Sequence, residues 1–440
     1  MIMDTTLEQK PVSNGFKYFM VFLCMFTQAV PYGIAQNIQP LFVPYVVKTF
    51  HFTLASYTLI FTFGAVAASI ASPFIGKGLA KFNFKVMYFI GIVLSALAYL
   101  CFGLSSKLPE FYAAAIVCMA GSTFFSGQGV PWVINHWFPN KGRGTALGIA
   151  FCGGSIGNIF LQPITAKVLK FFGTPQKPFF IFAATLLIVG FIITLFIRTP
   201  RQNEIVETAA EANEAKAAAA QKEANDFEGW TMKEVLKMKW FWVFSIGFLI
   251  IGLGLASLNE DYAAFLKTQL PFTTVGLVGS LYGVGCLIGN VCGGVLFDKL
   301  GTAKAMTFAG VMYVISIAMM IIVAFQPYNS GIGRLCGFAY AIFCGLAVFS
   351  YMSGPAFMSK DLFGKKEQGV MLGLVGLAYA IGFAIGAPLF GAIKDIANFK
   401  MAWYVMMACV VIGFILLIIA VIRIKAIQKK VIAAQTQSEE

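Results

Sequence analysis

Long apolar runs recur along the whole chain, and short segments that carry most of the charged residues separate them. An α-helix needs about 20 apolar residues to cross about 30 Å of hydrocarbon, and the runs reach that length. The pattern predicts twelve membrane-spanning helices, at residues 17–46, 53–76, 84–105, 109–137, 143–171, 178–198, 239–267, 272–297, 303–325, 333–359, 368–394 and 401–424.

The stretch between the sixth and seventh spans has a different character. It is rich in Ala, Glu and Lys, which is typical of a solvated linker with helical tendency. The pattern therefore divides the chain into five parts. They are an N-terminal segment (1–16), a six-helix bundle (17–198), the linker (199–238), a second six-helix bundle (239–424) and a C-terminal tail (425–440).

Composition supports the membrane interpretation. Hydrophobic residues make up 59% of the 440 positions and charged residues only 12%, whereas soluble domains have roughly 25% charged residues. A soluble fold must wet a large share of its surface and could not hide so much apolar area. The lipid bilayer is therefore the expected environment.

The net charge of +13 raises the question of a nucleic-acid partner. If the N-terminus lies inside the cell, 23 of the 32 Lys and Arg residues fall on the inner side of the predicted spans. Because inner loops attract positive residues, this bias predicts a plasma-membrane protein with both termini and the linker in the cytoplasm. It also explains the basic charge without a nucleic acid.

An internal repeat relates the two halves. Residues 129–163 and 354–388 match at eight positions with a constant offset of 225. The first set is Gly129, Phe138, Gly144, Leu147, Gly148, Ile156, Gly157 and Pro163, and the second is Gly354, Phe363, Gly369, Leu372, Gly373, Ile381, Gly382 and Pro388. Since each half holds an even number of spans, the repeats are parallel, and such bundles carry a solute between them near mid-membrane.

Signals for other chemistry are weak. All nine cysteines fall in apolar segments, and the chain has two histidines, so we expect no metal site and no cofactor. No phosphate-binding loop of the Gly-x-x-x-x-Gly-Lys-Ser/Thr type occurs, which excludes ATP as the energy source. No constellation of His, Cys and carboxylate suggests an enzyme. A monomer is expected.

One loop carries a recognisable motif. Gly294, Asp298, Gly301 and Lys304 follow the spacing Gly-x-x-x-Asp-x-x-Gly with a closing base, between spans eight and nine. It resembles the signature loop of the major facilitator superfamily, and the resemblance implies an all-α fold of two parallel six-helix bundles. In that family the acid caps a neighbouring helix end as one face closes. The matching loop of the first half, residues 76–85, lacks the acid and the second glycine.

Residues 135–148 and 240–242 are similar to the oxalate/formate antiporter and monocarboxylate carrier branch of that superfamily. The resemblance implies alternating-access transport of a monocarboxylate-type anion, driven by a proton or solute gradient. Such carriers hold a cation in spans eight and eleven, where this chain has Asn290 and Tyr379. An exporter or uniporter of a neutral or amphiphilic solute is the alternative. A receptor or channel is a further alternative, although neither a large soluble domain nor a pore ring is seen.

Glu260 and Asp261 are adjacent carboxyls in span seven. Ionisable groups inside a span are costly and usually functional, so the pair is a candidate for binding a coupling proton. The opposing interpretation places both residues in water at the outer mouth, because about 20 residues separate Trp240 from Glu260.

Polar and aromatic residues inside the spans are candidates for lining the solute path, since amides find no partners in lipid. Any single one of them is more often a hydrogen bond between helices than a solute contact, and only the set as a whole indicates a cavity. The predicted set is Gln28, Tyr32, Gln36, Asn37, Ser126, Gln128, Asn158, Gln162, Tyr282, Asn290, Tyr351 and Tyr379.

Overall fold

The computed structural model describes residues 14–138, 142–200, 229–364 and 366–439, and these residues form an all-α protein. Most of the predicted N-terminal segment and linker, together with Lys141 and Lys365, lie outside the described residues.

Eleven helices in the described ranges are long and apolar enough to cross a membrane. They are α1 (Gly15–Phe50), α2 (Leu54–Lys81), α3 (Phe84–Leu104), α4 (Leu108–Trp137), α5 (Arg143–Phe172), α6 (Gln176–Phe196), α7 (Lys239–Gln269), a continuous stretch Phe272–Ala324, α10 (Gly331–Met352), α11 (Gln368–Ile396) and α12 (Phe399–Ile432).

The stretch Phe272–Ala324 is two spans joined end to end. Its 53 residues would reach about 80 Å as one straight helix, more than twice the hydrocarbon thickness. The chain breaks at Gly301, whose φ of 74° and ψ of 166° are open only to glycine. The break separates α8 (272–300) from α9 (302–324), so the twelve predicted spans are confirmed.

Two predicted boundaries differ from the structure by more than five residues. The tenth span is interrupted after Met352 and continues as a separate helix, Gly354–Phe363, because Pro355 lies at its start. The helix that contains α12 runs on to Glu439, so the predicted C-terminal tail continues the helix. A short helix, Met232–Lys237, precedes α7; we call it the linker helix.

Three helices contain a widened, π-helical segment. These are Gln28–Asn37 in α1, Thr123–Gly127 in α4 and Ser257–Asp261 in α7. In α1 the segment includes Pro31, which has no N–H to donate to the preceding turn. Wide turns of this type are frequent at functional sites, and here they hold the polar residues of the first and seventh spans.

Corresponding helices pack the same way in the two halves. A Cβ atom added at Gly157 of α5 would lie 2.2 Å from the carbonyl oxygen of Ala29 in α1. One added at Gly382 of α11 would lie 1.9 Å from that of Leu249 in α7. Only glycine permits so close an approach of two backbones, and small residues at helix contacts are typical of membrane bundles. The internal repeat is therefore a repeat of packing.

We call the side of the protein that holds Gly15 and the linker helix the linker side, and the other the far side. Two inter-half hydrogen bonds join α2 to α11: the Ala55 N–H donates to Asp395 Oδ2 at 3.1 Å, and the Thr62 hydroxyl donates to the carbonyl of Ala384. On the opposite flank, Ser280 Oγ of α8 donates to the Ile159 carbonyl of α5 at 2.9 Å. All three lie at mid-membrane or toward the far side.

The described hydrogen bonds between the halves thus lie at mid-membrane or toward the far side. Gly148 of α5 and Gly373 of α11 lie nearer the linker side, and a Cβ added at either would have no atom within 4 Å.

Candidate functional site

The two carboxyls of α7 lie inside the protein. Asp261 has an exposed fraction of 0%, and neither of its carboxyl oxygens has a hydrogen-bond partner among the described residues. Glu260 is half-buried, and its Oε2 atom is likewise buried without a partner there. The helix continues beyond the pair as Tyr262–Gln269. The structure thus contradicts the interpretation that both carboxyls lie in water at the outer mouth.

A hydrogen-bond network beside this pair connects three helices. Tyr262 donates its hydroxyl to Gln162 Oε1 at 2.9 Å, across the boundary between the halves. Gln162 Nε2 donates in turn to the Asn37 carbonyl at 2.7 Å and lies 3.5 Å from Asn158 Oδ1. Asn37 Nδ2 donates to the Gly154 carbonyl at 3.3 Å. Three predicted lining residues, Asn37, Asn158 and Gln162, are therefore engaged with each other and with the protein.

Tyrosines form the polar wall of the second half. The Tyr282 hydroxyl donates to Asn259 Oδ1 at 2.7 Å and lies 3.2 Å from the Tyr351 hydroxyl. The rings of Tyr351 and Tyr379 stack with centroids 5.1 Å apart and an angle of 7° between their planes. Within the described chain, the Tyr379 hydroxyl is buried without a partner. Asn290 lies deeper toward the linker side, where its Nδ2 is 3.8 Å from Met352 Sδ.

Amides form the matching wall of the first half. Ser126 Oγ donates to Gln28 Oε1 at 2.9 Å, which leaves Gln28 Nε2 buried with no acceptor from the described residues. Gln128 Nε2 donates to Ser72 Oγ of α2 at 2.6 Å. Ser72 was not among the predicted lining residues, because a single serine in an apolar span gives no signal of its own.

A cavity of about 70 Å³ lies between the walls. Gln36, Gln39 and Phe61 of the first half face Glu260 and Phe383 of the second. Such a volume holds a few water molecules or one end of a solute. Tyr32 is half-buried and packs against the hydrophobic core. Gln39 was not among the predicted lining residues.

The family model described as Major Facilitator Superfamily matches residues 18–326 and 257–438. This chain belongs to the Major Facilitator Superfamily. A probable hexose phosphate transport protein of Chlamydia trachomatis is 24% identical over 395 residues, which are 83% of this chain and 85% of the relative. The glycerol-3-phosphate transporter of Bacillus subtilis is 22% identical over 376 residues, 80% of this chain and 82% of the relative.

Other similar proteins differ in the solutes they are named for. The chromaffin granule amine transporter of Rattus norvegicus is 24% identical over 343 residues, 78% of this chain and 61% of the relative. The solved structure of a point mutant of the nucleoside transporter NupG aligns with a TM-score of 0.70 and 15% identity over 93% of this chain and 99% of that one. The chain is a transporter of small solutes and not an enzyme, and its fold is that of the superfamily.

The signature loop of this facilitator makes no ion pair within the described residues. Asp298 and Lys304 are exposed, and Asp298 has no hydrogen bond or ion pair to any described residue. The nearby ion pair is formed instead by Asp361, which lies 2.8 Å from Lys425 Nζ and accepts a hydrogen bond from Thr302. Gly294 has open space around it, and Gly301 makes the break between α8 and α9.

Positive charge is absent from the centre of the described part of the facilitator. Every Lys and Arg of α1 to α11 there lies within five residues of a helix end or of the break at Gly301. In α12, Arg423 stacks on Trp240 at 5.7 Å, which places it at the linker-side boundary. Lys267 is the basic residue nearest to the carboxyl pair along α7, and its Nζ lies 3.2 Å from the centre of the Tyr45 ring. The described chain therefore offers no counter-ion at mid-membrane.

Among residues 14–138, 142–200, 229–364 and 366–439, no group of three or more His, Cys, Asp and Glu could hold a metal ion.

Proposed function

We propose that this protein is a proton-coupled secondary transporter whose organic solute crosses without a net negative charge. The observation that carries the proposal is the carboxyl pair Glu260 and Asp261, buried between the halves with no counter-ion among the described residues. The walls of tyrosines and amides around it would contact the solute.

The physical argument starts from the cost of burying charge. An ionised carboxylate in an apolar interior without a partner is strongly unfavourable, so it takes up a proton or binds a cation. When the path opens to water on one side, the same group regains hydration and releases its proton. A carboxyl buried in one conformation and hydrated in another links proton binding to the conformational change.

Alternating access follows from the packing of the halves. The far side is held by contacts of α2 with α11 and of α5 with α8, and the free space at Gly148 and Gly373 supports a path that is open on the linker side. We propose that the halves rock about the central site and that the opposite contacts form when the linker side closes. The excess of Lys and Arg on the linker side supports a cytoplasmic location of that side and insertion in the cell membrane.

The composition of the site argues against a free organic anion as the solute. A monocarboxylate is best balanced by a cation, and the described centre holds two carboxyls and no Lys or Arg. Relatives named for hexose phosphate, glycerol-3-phosphate and amine transport do not point to one solute. The site is better suited to a neutral or amphiphilic solute that contacts the tyrosine and amide walls.

A monocarboxylate carried together with a proton is the second candidate. This candidate is favoured by Gln28 Nε2, which is a buried donor without an acceptor among the described residues. Such a donor is suited to a carboxyl oxygen of the solute. The resemblance of residues 135–148 to monocarboxylate carriers supports the same solute.

Counterflow in proteoliposomes tests the proposal. Labelled neutral solutes, amines and monocarboxylates are offered one by one, and a pH-sensitive dye inside the vesicles reports proton movement. We expect exchange of a neutral or amphiphilic solute, accumulation under an imposed pH gradient, and a dye signal that follows the solute. Transport that neither moves protons nor responds to the gradient would refute the coupling. Transport of a carboxylate alone, without protons, would refute the solute class.

A further inference from the structure

The residues that form the wall of the cavity beside Glu260 come mainly from one half of the protein. Most of its wall comes from α1, α2 and α4 of the first half, and only Glu260 and Phe383 come from the described residues of the second. It is therefore a side pocket of the central path, built against one bundle and closed by the other. We call it the Glu260 pocket.

The buried polar atoms of the Glu260 pocket that have no partner in the described chain are acceptors. Oε2 of Glu260 and Oε1 of Gln39 are both buried without a hydrogen bond to it, and Gln39 has an exposed fraction of 6%. A buried acceptor that lacks a donor is costly, so an occupant that supplies N–H groups would relieve both. An ammonium group has three donors and no acceptor, and its charge matches the carboxylate.

The rest of the wall is apolar and aromatic. Phe61 and Phe383 contribute rings, and Ile60 and Met119 contribute aliphatic and thioether surface. Aromatic faces attract cations that have lost their water, and the aliphatic surface suits the hydrocarbon part of an amphiphile. No Lys or Arg of the described residues lines the pocket, so a ligand ammonium meets no competing cation from them.

The two carboxyls differ in what they can reach. Glu260 lines the pocket, whereas Asp261 is fully buried and is not part of its wall. The widened turn Ser257–Asp261 sends these neighbouring side chains into different surroundings. A solute in the pocket thus meets Glu260 alone.

We propose that the Glu260 pocket binds the protonated amine of an amphiphilic organic solute, with Glu260 as its counter-ion and Gln39 as a second acceptor. This inference rests on the proposed function, because it takes one carboxyl of the coupling pair as the solute contact. It narrows the solute class to apolar amines.

Binding to the purified full-length protein in nanodiscs tests the inference without any gradient. The probe is tritiated 2-phenylethylamine, displaced by unlabelled 2-phenylethylamine, 2-phenylethanol or 3-phenylpropanoate. These three share a ring and differ in charge. We expect the amine to displace the probe at concentrations at least about tenfold lower than the alcohol, as a charge-assisted contact implies, and the carboxylate to be weakest.

Variants identify the contact. Glu260→Gln keeps the volume of the side chain and removes its charge. The affinity for the amine should therefore fall to that for the alcohol, while the affinity for the alcohol stays unchanged. Gln39→Leu should weaken the amine by a few-fold. Glu110→Gln, a change of an exposed glutamate at the start of α4, is the matched control and should change nothing.

Unchanged amine preference in Glu260→Gln would overturn the inference, as would tightest binding of the carboxylate or no binding of any probe. Retained alcohol binding in Glu260→Gln shows that the variant is folded. Because no proton gradient is present, a failure of proton coupling leaves this result untouched, and the two proposals can fail separately.

Discussion

The helices α1 and α7 open the two halves and occupy equivalent positions, yet they carry different chemistry. Each is widened by a π-helical segment, Gln28–Asn37 in α1 and Ser257–Asp261 in α7. The segment in α1 presents amides, and that in α7 presents two carboxyls. The duplicated backbone therefore supplies the same kink twice, while the side chains give the buried carboxyls to the second half alone.

The helix packing that the two halves share can be disrupted at its closest contacts. Gly382→Leu and Gly157→Leu each force a side chain into the backbone of the facing helix, at 1.9 and 2.2 Å from a carbonyl oxygen. Because backbone cannot yield as a side chain does, we expect both variants to lose about 3 kcal/mol or more of stability and to express poorly as folded protein. Thermal unfolding in detergent measures the loss.

Gly373→Ala is the matched control, since it lies in the same helix as Gly382 and has free space around it. It should leave the unfolding temperature unchanged or slightly raised, as alanine favours helix over glycine. Equal stability of Gly382→Leu and Gly373→Ala would contradict the packing described for α7 and α11.

The difference between the two helices is tested by Asp261→Asn. The amide keeps the shape of the side chain and removes the titratable group, so solute accumulation under a pH gradient should fall at least about tenfold. A tenfold change corresponds to roughly 1.4 kcal/mol of free energy, here the contribution of one coupled proton. Exchange of solute at equal pH should persist, because it needs no net proton movement. Uptake under a pH gradient and counterflow in the same vesicles separate the two.

A control for that experiment is Asn37→Asp, which adds a carboxyl to α1 at the widened segment. If coupling depends on the surroundings of α7, the double variant that combines Asn37→Asp with Asp261→Asn should still lack gradient-driven uptake. Restoration would show that either helix can bind the coupling proton.

The hydrogen bond from Tyr262 to Gln162 links α7 to the first half, and its removal should have a moderate effect. Tyr262→Phe should destabilise the state in which the far side is closed by about 1 kcal/mol. The equilibrium between the closed and open far side should then shift roughly fivefold toward the open state. Hydrogen exchange should rise at the far-side ends of α2 and α11, near Ala55 and Asp395. Tyr340→Phe is the comparison, because Tyr340 donates to the Leu258 carbonyl within the second half and should not have this effect.

The smallest effect is expected at the linker helix, whose described contacts are with the second half. Trp230 N donates to the Phe363 carbonyl at 3.0 Å and Met232 N to Glu367 Oε2 at 2.7 Å. Within it, the backbone N–H of Thr231 donates to Glu234 and holds the pKa of that carboxyl below its usual range. A carboxyl whose pKa is lower in the folded state than in the unfolded state stabilises the fold at pH values above the unfolded-state pKa. This stabilisation is lost as the pH falls through the folded-state pKa.

Hydrogen exchange of residues 229–237 should therefore increase modestly as the pH is lowered through the range in which Glu234 protonates. Glu234→Gln should remove most of this dependence and leave transport as it is. A pH dependence that survives the substitution would assign it to another group.

The sequence predicted those features that depend on length and periodicity. A run long enough to cross hydrocarbon must be a helix there, so twelve spans and two halves followed from hydropathy and from the repeat around Gly157 and Gly382. The motif from Gly294 to Lys304 predicts a loop, whereas in the structure Gly301 breaks a longer helix.

The tertiary structure decided what surrounds each polar group. Counting residues from Trp240 put Glu260 near a water-filled mouth, but burial depends on neighbouring helices, and Asp261 is enclosed although α7 continues past it. Ser72 and Gln39 became part of the site only because α2 and α1 bring them to Gln128 and Glu260. A hydrophobic pattern fixes which segments enter the membrane, since transfer from water depends on each segment alone, whereas the partner of a buried polar atom depends on how segments far apart in the chain pack together.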